Sequence, residues 1–463
     1  MSEEMKTLRK QLLRDSRSGY DVLEEAQLRR MEDYCADYKA FLGNKTERLS
    51  ARAAIAAAEA HGFVEYRRGM ALGAGDKVYT CNRGKGLMLA VMGRESMAEG
   101  VQIAAAHIDS PRLDLKPNPL YEDSELAYFK THYYGGIRKY QWVTIPLQLQ
   151  GVVVKKDGTA VEVCIGEKGE PQLVITDLLP HLGGEQGKKP LSEAIPAETL
   201  NILLGSRPIG DEDDSDRVKL HVMKRLYDKY GITEADFASA ELEAVPAADA
   251  VDIGIDGSMI GSYGHDDRVC GYAALRALLE LDAPAKTAVC VLADKEEIGS
   301  MGVTGMQSAV FETFLSDLCD SQNVPLKVCF ENSFCLSADV TAAYDPNFAD
   351  VFDKKNAAFL NHGVGLCKYT GARGKSGSSD AGAETVAYVR SLLDGAGVRW
   401  QICELGKVDA GGGGTVAQYM ANRNIATLDA GVPVLSMHAP FEVVAKLDCY
   451  EMYRACKAIY EAR

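Results

Sequence analysis

The chain has 463 residues, 46% of them hydrophobic and 25% charged. That is too long for one ordinary domain, and the balance is that of a soluble globular protein with a core of good size. A formal net charge of −15 sets the surface against nucleic acid and anionic lipid, so neither is expected as a partner.

The N-terminus, Met1 to Lys10, is charged and lacks the apolar run of a secretion signal. No apolar stretch approaches the about 18 residues of a membrane span. The twelve cysteines are scattered singly with no Cys-x-x-Cys pair, as expected of buried thiols in a reducing compartment. A cytoplasmic location is therefore expected.

In chain order, an Ala-rich segment predicts a helix over 46–60, with Thr46 or Ser50 as its N-cap. Strands are predicted near 77–81 and 86–92, then a short buried strand at 101–106 that ends in His107-Ile108-Asp109-Ser110-Pro111, where Pro111 stops regular structure. From about 112 to 252 the texture changes. Strands at 142–149, 151–155 and 160–165, with an Asp157-Gly158 hairpin turn, give way to a stretch rich in Pro, Gly and charge. After Asp256-Gly257 strands and helices alternate: helix 267–281, strand 287–293, helix 306–318, strand 328–330, helix 379–393, strand 398–405, helix 414–423, strand 425–429 and a final helix 447–461. This pattern predicts an α/β fold with a mostly parallel central sheet covered by helices on both faces. The domain at 1–111 and 253–463 is split by a β-rich insertion at 112–252.

Five sites stand where apolar strands end, the edge at which α/β sheets bind ligands. His107 and Asp109 are two apart, so on an extended segment they face one side, and a metal-binding imidazole needs such an acceptor on its other nitrogen. A surface loop with one histidine is the alternative. In Asp266-Asp267, Asp267 suits a helix N-cap and leaves Asp266 free to face a ligand. Glu296-Glu297 follows an apolar strand and precedes a Gly-containing turn. The two carboxylates repel unless a cation lies beside them, so either one binds metal while the other holds a water, or the pair is a solvated acidic turn. Asp339 is a lone carboxylate among small residues. His438 ends an apolar run, in a chain with only eight histidines. Together these give His, Asp, Glu, Asp and His plus a spare Glu, a donor set suited to Zn²⁺, Mn²⁺ or Co²⁺. With one Asp bridging, it would hold two ions about 3.5–4 Å apart, with the spare Glu as general base on a bridging water.

Other signals carry less. Gly411–Gly414 lacks the spacing of a phosphate loop, the acidic run 211–216 has Asp216 where a calcium loop needs Gly, and the serines of 376–379 form no nucleophile elbow.

The order His-x-Asp, Asp-Asp, Glu-Glu-Ile-Gly-Ser, Ser-Ala-Asp and Met-His resembles the M18 family of metallo-aminopeptidases, over nearly the whole chain. Leu179-Pro180-His181-Leu182, Pro346-Asn347 and Gly413–Thr415 resemble it as well. The resemblance implies that His107, Asp266, Glu297, Asp339 and His438 are metal ligands, with Asp266 bridging two zinc ions. Glu296 is then the general base, and Asp109 belongs to the catalytic set. It also implies a co-catalytic zinc exopeptidase fold, peptide substrates, an inserted lid and dimerisation domain, and a tetrahedral homododecamer built from dimers. Lys368, in the basic stretch 368–375, matches the family's substrate-binding loop, and His181 stands in the inserted-domain motif. Two positions depart from aspartyl aminopeptidases: Ala342 replaces a substrate-touching histidine and Glu185 replaces the second histidine of the inserted motif. A side-chain preference broader than Asp and Glu is therefore expected. The alternatives from other classes are a catalytically silent scaffold of the same fold and a two-carboxylate glycosidase, which leaves both histidines without a role.

Overall fold

The computed structural model describes residues 2–14 and 17–463. Among these, the largest sheet has nine strands, and its centre is made of three parallel neighbours, Thr287–Ala293, Val101–His107 and Phe334–Ala338. Strands buried on both faces need apolar residues at every position rather than alternate ones. The Val101–His107 strand nearly shows this: Val101, Ile103 and Ala105 enter one core, Ala104 and Ala106 the other, and the one polar interior residue, Gln102, donates to the Tyr388 hydroxyl. Helices Glu25–Phe41, Glu47–Ala60, His265–Leu279 and Lys446–Tyr460 cover one face; Val310–Asp320 and Leu326–Glu331 cover the other. The sheet is mixed, because Gly86–Val91 runs antiparallel to both of its neighbours and Val364–Cys367 runs antiparallel to Ala426–Gly431.

Several expectations sharpen. Thr46, not Ser50, caps its helix, accepting a hydrogen bond from Leu49 N, while Ser50 donates to Asn44 O. The segment expected as a strand at 328–330 is instead part of the helix Leu326–Glu331, and the strand follows at Phe334–Ala338. A three-residue apolar run carries too little periodicity to separate strand from helix, and Pro325 just before it favours a helix start. The helix expected from 306 begins only at Val310, and the strand expected over 398–405 is confined to Trp400–Ile402.

Residues 112–246 supply an antiparallel six-stranded sheet with its own apolar core around Leu113, Phe129, Trp142, Leu149 and Ile202. The Asp157-Gly158 turn lies where the sequence placed it, but it joins Ala160–Ile165 to one strand, Leu147–Val154, where two were expected at 142–149 and 151–155; Gly158 is at φ +87°, a conformation that L side chains rarely adopt. A third, five-stranded sheet pairs Met259–Ser262 with Glu442–Ala445, and the latter with Pro433–Leu435. Parallel register sets Ala293 opposite His107, so the chain leaves both strands at one edge. The third sheet delivers the segments after Ser262 and Leu435 to that same place.

Leu89 is fully buried in the Gly86–Val91 strand. Leu89→Ala is expected to cost about 2–5 kcal/mol through lost burial and the cavity left behind, read as a lower urea midpoint with unchanged slope.

Candidate metal centre

The site begins with how His107 is held. Its Nδ1 lies 3.0 Å from the backbone carbonyl of Asp109 and 3.3 Å from the Asp109 carboxylate. A proton on Nδ1 leaves Nε2 with its lone pair outward, 3.2 Å from Asp266 Oδ1 and 4.0 Å from both Glu296 Oε2 and Asp339 Oδ1. His438 repeats the arrangement. Its Nδ1 lies 2.9 Å from the carbonyl of Gly136, and its Nε2 faces Asp266 Oδ2 at 3.1 Å and Glu297 Oε2 at 3.4 Å. Asp266 thus gives one carboxylate oxygen to each imidazole.

The Asp109 carboxylate is buried and serves as the frame of the Glu296-Glu297 turn. Oδ1 accepts from Glu296 N at 3.1 Å, and Oδ2 accepts from Glu297 N at 3.2 Å and from the Tyr134 hydroxyl at 2.7 Å. Lys295 and Gly299, both at positive φ, bracket the single 3₁₀ turn that carries the two glutamates. Asp339 leaves the sheet where Gly431 passes so close that an added Cβ would lie 1.7 Å from the Asp339 carbonyl oxygen, so only glycine fits.

The electrostatics follow from crowding. Burial, then the neighbouring carboxylates, pushes Glu297, Asp339 and Asp267 well above the ordinary carboxylate range and Glu296 up to about 7. Burial also works against the charge of Asp266, but His107 and His438 win and hold its carboxyl well below that range. The imidazoles respond in kind: burial opposes their protonation, yet the carboxylates carry His107 well above its usual pKa and His438 to about 10. A site that draws protons onto both imidazoles and most of its carboxylates draws a divalent cation for the same reason. Glu297 Oε1 and Asp267 Oδ1 are buried without a hydrogen-bond partner. Two overlapping groups, His107/Asp267/Asp339 and His107/Asp266/Glu297, bring ligand atoms within 4.8 Å of one another. The donor chemistry therefore fits divalent metal.

The sequence profile described as Aminopeptidase I zinc metalloprotease (M18) matches residues 44–460. The chain belongs to the M18 family of aminopeptidases. It is 48% identical over 450 residues to Probable M18 family aminopeptidase 1 of Clostridium acetobutylicum, covering 95% of this chain and 97% of that one. It is similar in structure to an M18-family aminopeptidase from Thermotoga maritima, with a TM-score of 0.93 at 42% identity over 97% and 99% of the two chains. A dodecamer of the S. cerevesiae protein mApe1 shares the fold at 21% identity, TM-score 0.75, over 93% and 99% of the chains. This M18 chain is accordingly a metallo-aminopeptidase of a zinc-dependent family, which sets aside the glycosidase and silent-scaffold readings.

Of the residues singled out in the M18 aminopeptidase sequence, His107, Asp109, Asp266, Glu296, Glu297, Asp339 and His438 converge. Lys368 lies elsewhere in its contacts: its ammonium pairs with Asp380 at 3.1 Å, an acid that Lys375 shares. His181 is exposed on the Pro180–Leu182 turn. Asp267 corrects an expectation. It caps no helix; its carboxylate accepts from the backbone N–H of His107 at 3.2 Å, inside the cluster. Three more contributors escaped the sequence reading. Glu442 accepts from His438 N at 2.6 Å and from Asp266 N at 3.1 Å, and Tyr134 and Gly136 reach in from the antiparallel sheet. Glu442 sits in an otherwise apolar strand, a buried acid that strand alternation alone could have flagged. The only trace of the other two is the Gly135-Gly136 pair after a strand.

Asp109→Ala removes the acceptor of both glutamate amides. Loss of such an outer partner costs about 10–100-fold in metal affinity or activity, to be measured by zinc titration of the metal-stripped enzyme alongside kcat.

Proposed function

We propose that this aminopeptidase works with two divalent ions, zinc in the first instance and manganese or cobalt as substitutes, and removes the N-terminal residue of peptides. The observation that carries the reading is Asp266, whose two oxygens face two imidazoles on opposite sides. His107 and Asp339 would join Asp266 around one ion, and His438 and Glu297 would join it around the other. When bound, the ions polarise the scissile carbonyl and make a water acidic near neutral pH. Glu296, facing the same space, takes the proton of the attacking water on its carboxylate and returns it to the leaving amine nitrogen. Asp109 holds the turn so that this carboxylate points inward.

The region 112–252 is proposed to be an inserted domain for lid and dimer contacts, because it has its own sheet and core. Leu178, Leu179, Leu182 and Leu191 are exposed in the same stretch of chain as His181, apolar groups suited to contact with a second copy of the chain. Peptide substrates and assembly into a tetrahedral dodecamer of dimers complete the proposal. The twelve unpaired cysteines suit the cytoplasm, and no helix among the described residues is long and apolar enough to cross a membrane. Lys368 is proposed to reach the substrate side chain, but it shares the single carboxylate of Asp380 with Lys375, which offsets part of their combined charge. The preference should therefore extend beyond acidic residues.

Chelation is expected to abolish peptidase activity and added zinc, manganese or cobalt to restore it; a metal-free preparation with full activity overturns the reading. Glu296→Gln should keep its metal and lose about 10²–10⁴-fold in kcat, whereas Glu297→Gln should lose metal. On Asp, Glu, Leu and Ala substrates, kcat/KM should vary modestly. An Asp preference above about 100-fold, or 2.7 kcal/mol, that disappears in Lys368→Ala would overturn the broad specificity.

A further inference from the structure

The segment 134–136 runs off the end of a strand of the antiparallel sheet, not of the sheet that carries the catalytic strands, yet it touches both halves of the centre. Tyr134 ends the Leu126–Tyr134 strand, and its hydroxyl donates to Asp109 Oδ2 at 2.7 Å. Two residues later the Gly136 carbonyl accepts from His438 Nδ1 at 2.9 Å. We propose that Tyr134 and Gly136 are positioning residues of the peptidase reaction, so that the Glu296-Glu297 turn and His438 are both correctly set only while the antiparallel sheet is docked. This rests on the reading of Glu296 as base and His438 as ligand.

The physical case has three parts. Asp109 is fully buried, and a buried carboxylate depends on each donor it has. Without the Tyr134 hydroxyl, Oδ2 keeps one amide, Glu297 N at 3.2 Å, and the frame of the turn loosens. Second, the phenol is not free to wander. The Arg112 guanidinium lies 3.9 Å from its ring centroid, and that buried arginine is itself tied to Asp114 at 2.8 Å, Glu243 at 3.3 Å and Glu47 at 3.4 Å. Asp114 and Glu243 stand on strands of the antiparallel sheet, while Glu47 opens the helix Glu47–Ala60 that covers the catalytic sheet, so the clamp spans the junction. Third, the chain passes between Glu297 and His438 with no room to spare. A Cβ on Gly135 would lie 3.3 Å from Glu297 Cβ, at a φ of +74°, and a Cβ on Gly136 would lie 3.3 Å from His438 Nδ1. The Gly136 carbonyl holds the proton on Nδ1 and so keeps Nε2 turned toward Asp266 and Glu297.

The test uses the zinc-loaded full-length enzyme with Tyr134→Phe, which removes one oxygen and keeps the ring on Arg112, and Gly136→Ala, which crowds His438 at a position of ordinary φ. Tyr134→Phe should lower kcat about 10-fold with KM unchanged, and the Glu296 and Glu297 amides should exchange hydrogen about 10-fold faster, the loss expected for one buried hydrogen bond. Zinc content and exchange elsewhere should stay at the wild-type level. Gly136→Ala should instead weaken zinc binding about 10-fold and leave those two amides protected. Wild-type kcat and wild-type amide protection in Tyr134→Phe overturn the proposal, as does a uniform rise in exchange across the chain, which would mark a merely structural role. Should Tyr134→Phe not fold, unchanged zinc affinity in Gly136→Ala overturns it alone. Glu296→Gln is measured in parallel: if it retains full turnover the base assignment falls, whatever the amide exchange of Tyr134→Phe shows.

Discussion

Asp266 stands with one carboxylate oxygen 3.2 Å from His107 Nε2 and the other 3.1 Å from His438 Nε2, surrounded by Glu296, Glu297, Asp339 and Asp267. Carboxylates gathered out of water repel strongly, and such a group must either take up protons or hold positive charge among its members. The rest of the molecule can be read as the means of assembling that mutually repelling group and holding it still. Each acid hangs from a rigid element, and several backbone N–H groups around it are committed to side-chain acceptors: His107 N to Asp267, Asp266 N and His438 N to Glu442, and Glu296 N and Glu297 N to Asp109.

The division of labour among the sheets follows from this. Parallel strands in register end at the same edge, so His107, the Glu296-Glu297 turn and Asp339 arrive together from three adjacent strands. The third sheet is antiparallel between Met259–Ser262 and Glu442–Ala445, and it brings Asp266 and His438 to face that edge from the other side. Glu442 then joins the two backbones at one carboxylate. The antiparallel sheet contributes no carboxylate or imidazole to the cluster, yet its Tyr134 and Gly136 contact Asp109 and His438, which fixes orientation rather than charge.

The contrast between Lys368 and the ligand cluster shows where electrostatic demand is met and where it is not. On an exposed loop Lys368 and Lys375 share the one carboxylate of Asp380, where solvent screens such pairs and makes them weak. Inside the cluster no lysine or arginine pairs with the carboxylates among the described residues, and that imbalance separates this buried group from a surface ion pair.

The sequence by itself determined the α/β alternation, the change of texture near 112 and seven of the residues that converge, because each of those signals is local: a periodicity, a turn, or a polar residue where an apolar run stops. Locality also set its errors. The run at 328–330 was too short to distinguish helix from strand, and Asp267 looked like a cap because an acid before a helix usually is one. Only the tertiary structure decided that Asp267 turns back to His107, and that Glu442, Tyr134 and Gly136 belong to the centre at all. Apart from the Glu442–His438 bond, four residues apart, those residues sit 25 to 302 positions from the groups they hold. Pairing over such distances is fixed by strand register and by the packing of one sheet against another, which no window along the chain contains.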